Sequence, residues 1–315
     1  MQIHWRDIDE RLRPGQWEGL WCTVAGTPAA GVALALCPPH RLRVSVGDVP
    51  LLWARVEEDH MGYHWLRATQ SDPLAILAPI RFDHVEMRAR QDPHDSLRGW
   101  SRDVAQALAT SSTSPLQEGE WLLAPLLRSG AGDRLRRQTV ADVVDLTDCG
   151  HVDWSHDDLH ILPLRAFSSV DDGRVKAWRK VARRGALPPL VLQWISGLCA
   201  YLLLDGHDRL LAAHLEGMDA PVLTLERIAE RSGVASPMAE AFAASKMGSA
   251  PDGTPRTIST ESSNRLLLAA FVPERERQPS RAATLAGGVT RWEQEVRVQA
   301  GCRGAAPAGM LDPPH

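Results

Sequence analysis

Residues 202–213 read Leu-Leu-Leu-Asp-Gly-His-Asp-Arg-Leu-Leu-Ala-Ala, and this run restricts the fold more tightly than any other in the chain. An apolar stretch, 201–204, stops at Asp205-Gly206. Leu210, Leu211 and Ala213 then fall on one side of a helical repeat that Gly217 ends. The spacing predicts a strand, a tight turn and a helix. His207, Asp208 and Arg209 are crowded into the turn and the first helical turn. A helix start offers unpaired backbone N–H groups and the positive end of the helix dipole, which suits a phosphate or a carboxylate. Gly206, having no Cβ, lets a ligand come close to the backbone.

The rest of the chain can supply the core such a unit needs. It has 315 residues, 44% hydrophobic and 23% charged, as expected of a globular protein with one or two domains. A net charge of -4 gives no general attraction to nucleic acid or anionic membrane. The positive charge is nearly all arginine, with lysine only at Lys176, Lys180 and Lys246. Cys22, Cys37, Cys149, Cys199 and Cys302 form no C-x-x-C pair, which argues against a zinc knuckle or a dithiol redox motif. Cys22 and Cys37 sit in apolar surroundings and are expected to be buried thiols. The charged opening, Met1-Gln2-Ile3-His4-Trp5-Arg6-Asp7, does not read as a signal peptide. No run of 18 apolar residues occurs, so a cytoplasmic protein without membrane contact is expected.

The overall expectation is an α+β fold. A β-rich N-terminal domain occupies residues 1–150, a small α/β domain 151–275, and a C-terminal tail 276–315. The tail combines a helix around Trp292 with a disordered Gly/Ala/Pro end. Residues 41–46, 52–56 and 81–88 alternate polar and apolar side chains, separated by turn signals, and predict an antiparallel meander. Six of the eleven tryptophans fall in the first 100 residues: Trp5, Trp17, Trp21, Trp53, Trp65 and Trp100. Filling a small core is the favoured role for them, ahead of an aromatic ligand surface. Residues 98–109 suit an amphipathic helix and 139–146 an apolar element. The domain boundary falls in the polar stretch 147–160. Helix 170–182 places Val175, Trp178 and Val181 on one side and Arg183-Arg184 at its end, where the dipole favours cations. Strands follow at 190–195, 199–204 and 221–225.

This order of helix, G-x-x-P-P-hydrophobic strand, hairpin, strand, Asp-Gly-His-Asp-Arg turn and Ala-Ala helix resembles the ParB/sulfiredoxin superfamily over residues 160–227. The resemblance implies a small α/β domain that binds CTP or ATP, with the box at the helix start holding the phosphates. Gly206 matches the box glycine and Arg209 the box arginine, a phosphate partner. His207 stands where sulfiredoxins carry a reactive cysteine, which excludes their reductase chemistry. Asp208 stands where partition proteins carry an arginine, so a Mg²⁺ ion would have to bridge it to phosphate. The family's early box is reduced here to Leu164-Arg165. On this basis Gly206, His207 and Arg209 are expected to bind nucleotide. Asp205, His207 and Asp208 are the candidate catalytic groups for hydrolysis or phosphoryl transfer, and Asp208 is the candidate metal ligand. The partners implied are a nucleotide first, then DNA, and a second copy of the chain in a homodimer.

Two other readings stand beside this one. In a purely structural turn, Asp205 would cap the helix, Asp208 would favour the dipole, and Arg209 would pair with Asp205 or Glu216. The protein would then be a non-catalytic interaction module with a degenerate pocket. Alternatively, residues 225–242 read as a helix-turn-helix, with Ala229 and Gly233 at the required spacing and Ser236-Pro237 opening the second helix. That second helix is acidic and carries no arginine, which weighs against DNA reading. His156 and His160 could hold a metal with Asp153 or Asp157, although a solvated loop accounts for this segment, which also contains His151. Neither a Gly-x-Ser-x-Gly nucleophile elbow nor a P-loop is present.

Overall fold

A computed structural model describes residues 1–9, 17–69, 75–91, 93–126, 147–154, 160–231, 274–301 and 309–311. Within them the chain is α+β, mostly strand, with two sheets and five helices. The first sheet has eight strands. Its path runs β1 (Gln2–Asp9), β2 (Trp17–Ala25), β7 (Gly119–Pro125), β12 (Val222–Arg231), β10 (Leu190–Ile195), β11 (Ala200–Asp205) and β9 (Ile161–Pro163), and β13 (Glu274–Arg277) pairs with β12 off that path. The second has six strands in the order β14 (Ala283–Thr284), β3 (Val32–Cys37), β4 (Arg41–Val46), β5 (Val49–Val56), β6 (Gly62–Arg67) and β8 (Cys149–Asp153).

Alternation along the strands decides how these sheets stack. Ala200, Leu202 and Leu204 of β11 face a core shared with Leu52, Tyr63 and Trp65 of the second sheet. Tyr201 and Leu203 point the other way, into a second core with Trp178 and Val181 of α3 (Gly173–Ala182) and Leu210 of α4 (His207–Glu216). Trp53 and Leu66 turn from the shared core towards Trp292 and Val296 of α5 (Gly288–Gly301). The result is a layered order of helices, sheet, sheet and helix. Arg43 bonds Glu295 at 2.8 Å and the Trp292 indole bonds the Leu42 carbonyl at 3.1 Å, locking α5 in place. The helix expected around Trp292 is therefore integral to the fold. Trp21, Trp53, Trp65 and Trp100 are buried, and so are Cys22 and Cys37, as their surroundings imply.

Three sequence expectations change. Residues 81–88 form a helix, α1 (Phe82–Arg88), in place of a strand. Only Val85 of its apolar residues is buried, while Phe82 and Met87 are exposed, so the apparent period of two has no apolar face to bury. Residues 225–231 continue β12 in place of opening a helix-turn-helix. Leu223, Leu225 and Ile228 are buried, and β7 and β13 take the strand's backbone hydrogen bonds. The second half of that motif, 232–242, lies outside the described residues, as do the element expected at 139–146 and the pair His156 and Asp157. Finally, strands from both sides of the expected 147–160 boundary share the eight-stranded sheet, through the pairing of β7 with β12. That boundary does not part the sheets. The helix expected at 98–109 is present as α2 (Pro93–Thr110).

Candidate functional site

The turn after β11 has the form its sequence predicts. Gly206 adopts φ 102°, a left-handed conformation that glycine tolerates best, and α4 starts at the next residue. A Cβ at Gly206 would lie 2.7 Å from Leu190 Cδ2 and 3.0 Å from Arg209 Nη2, so a side chain there would also have to displace the ends of both. Gly206 is the N-cap, its carbonyl accepting the Leu210 N–H at 2.8 Å, and no side chain caps the helix. Asp205 is turned to another purpose. Its carboxylate accepts from Arg209 Nη2 at 2.8 Å. At the other end Gly217, with φ 63°, stops the helix as expected.

Three ionisable side chains are buried at the start of α4: His207 is 2% exposed, Asp208 3% and Arg209 3%. Each has definite partners. Arg209 donates to Asp205 and to the Pro189 carbonyl at 3.0 Å, and its guanidinium lies 5.7 Å from the Trp178 ring centroid. Asp208 accepts from Ser168 Oγ at 2.9 Å and pairs with Arg165 at 3.4 Å and Arg174 at 3.5 Å. His207 Nε2 accepts the Arg165 backbone N–H at 3.3 Å. Burial, reinforced by the charges of Arg165, Arg67 and Arg209, holds the His207 imidazole well below its ordinary pKa. The ring is therefore neutral, and with Nε2 accepting, its proton resides on Nδ1. Arg165, the remnant of the family's early box, is thus brought against both His207 and Asp208, and Arg67 fixes it by donating to its carbonyl at 3.0 Å.

This geometry revises the expected roles. Asp208, the expected metal ligand, is neutralised by two guanidinium groups that a cation would have to displace, so it does not fit a Mg²⁺ site. The one ring lone pair of His207 is engaged, which leaves it no place to receive a proton as a base. Two buried N–H groups, His207 Nδ1 and Arg209 Nε, find no acceptor among the described residues. At the far end of α4, Glu216 is clamped by Arg183, the C-cap of α3, and by Arg179 within it, which pull its pKa down to about 2.

A cavity of about 330 Å³ opens beside the turn. Leu77, Ile80 and Val104 give it apolar walls, and Asp205, Arg209 and Asp103 its polar ones. The Nε2 of His84 lies 3.0 Å from Asp103 Oδ2, and Arg88 donates to that same oxygen at 2.8 Å. His84 escaped sequence reasoning because its segment reads as a strand. Asp103 lies on the correctly expected helix α2, but nothing in its local pattern separates it from a solvated helix position. No helix among the described residues is long and apolar enough to cross a membrane. Comparison with protein-family models, curated proteins and solved structures finds no match to this chain.

Proposed function

We propose that the chain binds a nucleotide at the start of α4, with the phosphate received by Arg209 and His207. The observation that carries this reading is that His207 Nδ1 and Arg209 Nε, two of eleven buried side-chain atoms without a partner among the described residues, both belong to the first turn of a helix. Each such donor costs about 1–3 kcal/mol in a folded chain, and an anion would satisfy it while meeting the positive end of the helix dipole. The likeness of the Gly206–Arg209 box to ParB/sulfiredoxin boxes favours CTP or ATP as the source of that anion. The adjoining cavity, bounded by Arg209 and apolar residues, offers room for a base. Turnover is not part of the proposal, because His207 and Asp208 are engaged by internal partners.

Thermal unfolding with CTP, ATP and ADP tests it. At about 100 times Kd a bound nucleotide adds about 2.7 kcal/mol of stability, a clear rise in midpoint. Arg209→Lys keeps the charge but removes the Nε–H, and it should weaken that rise. Absence of any rise with all three nucleotides overturns the reading.

A second reading is favoured by the closed pairing of Arg209 with Asp205 and of Asp208 with Arg165 and Arg174. In it the pocket is filled by the protein's own ion pairs, and the chain is a non-catalytic interaction module. A wild type indifferent to nucleotide would support this alternative. DNA binding loses its structural warrant, since 225–231 is a strand.

A further inference from the structure

On the edge of the second sheet, three side chains converge from distant parts of the sequence. Glu57 follows the end of β5, and its N–H donates to the Gly62 carbonyl at 3.0 Å, which closes the β5–β6 hairpin. His64 of β6 and His151 of β8 are register partners on adjacent strands. Their rings stand 4.6 Å apart, and both aim Nε2 at one carboxylate oxygen. His151 Nε2 is 3.0 Å and His64 Nε2 3.2 Å from Glu57 Oε1. The three ligand atoms all lie within 4.8 Å of one another.

We propose that Glu57, His64 and His151 form a binding site for one divalent transition-metal cation, with zinc the best match to the ligands. Two imidazole nitrogens and one carboxylate are a common zinc set. With ligands about 2.0–2.1 Å from the metal, the edge of a tetrahedral zinc site is about 3.3 Å. The two N···O separations are close to that edge and the two ring nitrogens lie within 4.8 Å of each other, so side-chain rotation suffices to gather the three ligands on one cation. A second observation concerns space. A Cβ at Gly309, which has φ 81°, would lie 2.2 Å from His64 Nε2, and one at Gly62 would lie 3.0 Å from His151 Nε2. The backbone thus packs close to both ring nitrogens, and glycine keeps a Cβ off them; at Gly62 a Cβ would also meet the Val152 carbonyl at 2.3 Å. A cavity of about 610 Å³, bordered by Glu57, His64, Arg55 and Leu311, adjoins the triad. The remaining coordination position would face this cavity and hold water, as in zinc sites that keep an open position. Metal binding at this triad is independent of nucleotide binding at α4.

Equilibrium dialysis and titration calorimetry of the full chain with Zn²⁺ alone test the proposal, with Co²⁺ absorption as a readout of coordination. The expected result is one tight equivalent per chain and Co²⁺ bands of four-coordinate intensity. His151→Ala and Glu57→Gln should each lower the affinity by about 100-fold, the upper end of losses known even for outer partners of metal ligands. His151 is exposed, so its variant is expected to fold. His214→Ala, at an exposed histidine on α4, should bind like the wild type and control for adventitious binding. The proposal is overturned if the wild type takes up no tight equivalent. It is equally overturned if His151→Ala and Glu57→Gln bind zinc as the wild type does.

Discussion

The two polar clusters of this chain are built in opposite ways. At the start of α4, the consecutive residues 205–209 supply four polar side chains, Asp205, His207, Asp208 and Arg209. The side chains of His207, Asp208 and Arg209 are almost wholly buried, and opposite charges meet within the protein. On the second sheet, Glu57 and His151 are 94 positions apart in sequence, and the side chains of Glu57, His64 and His151 are 29%, 19% and 42% exposed. Charges taken out of water must find partners in the fold, and those partners then hold them. Charges left near water are under no such constraint and can exchange one partner for an ion. The motif most visible in the sequence is thus the more firmly locked, and the dispersed cluster is the more available.

The contrast breaks first at Asp208. Its removal in Asp208→Ala strands Arg165 and Arg174, deprives Ser168 of its acceptor and leaves the site with uncompensated positive charge. The expected loss is about 2–3 kcal/mol, below the full cost of a broken buried pair because Arg174 can turn to solvent. Denaturant unfolding of Asp208→Ala beside Asp208→Asn measures it, and the amide, which retains the Ser168 bond, should lose less. A midpoint within error of the wild type in the alanine variant would show that α4 is not locked as described.

Acid should separate the clusters next. In the unfolded chain His207 takes up a proton near its ordinary value of 6.5, whereas in the folded chain it stays neutral well below that. Between those limits the unfolded state binds more protons, so stability is intact above pH 6.5 and falls as the pH drops. One such proton contributes a slope of up to about 1.4 kcal/mol per pH unit. His207→Gln can keep an acceptor for the Arg165 N–H without titrating, and its stability should decline less from pH 7 to 5. A smaller slope persists, because partial burial and the neighbouring His151 also hold His64 below its ordinary value. Parallel profiles for wild type and variant would refute the assignment of a buried neutral His207.

How much of this was legible depended on the range of the forces involved. The β11–α4 unit, α2, α3 and the strands 41–46 and 52–56 follow from periodicity and local punctuation, which are properties of neighbouring residues. The glycine at 206 and the stop at Gly217 belong to the same class. The Asp205–Arg209 pair is one of two options open to that arginine in the sequence, since i,i+4 geometry allows it. Residues 81–88 and 225–231 misled because their short patterns fit either period, and tertiary contacts chose. Phe82 finds only a partial cover, on Trp178 at 4.8 Å, while β12 is held by strands from both halves of the chain. The His64–His151 meeting had no local signal at all. It is fixed by the pairing of β6 with β8, whereas the i,i+4 spacing in that segment singled out His156 and His160 and gave His151 no partner.

The smallest expected effect is also the sharpest test of the comparison. His151→Ala removes one of two imidazoles that share Glu57 Oε1, at a position more open than any of the buried side chains of the α4 turn. Without metal, His64 remains within 3.2 Å of that oxygen, so the carboxylate keeps a partner. Exposed ion pairs contribute about 0–1 kcal/mol, and substitutions of this kind usually fall within about 0.5 kcal/mol of the wild type. Metal-free His151→Ala should therefore unfold at nearly the wild-type denaturant midpoint in the presence of a chelator. A loss as large as that of Asp208→Ala would mean that the dispersed cluster holds the fold together no less than the contiguous one, and the distinction between a locked turn and an available triad would fail.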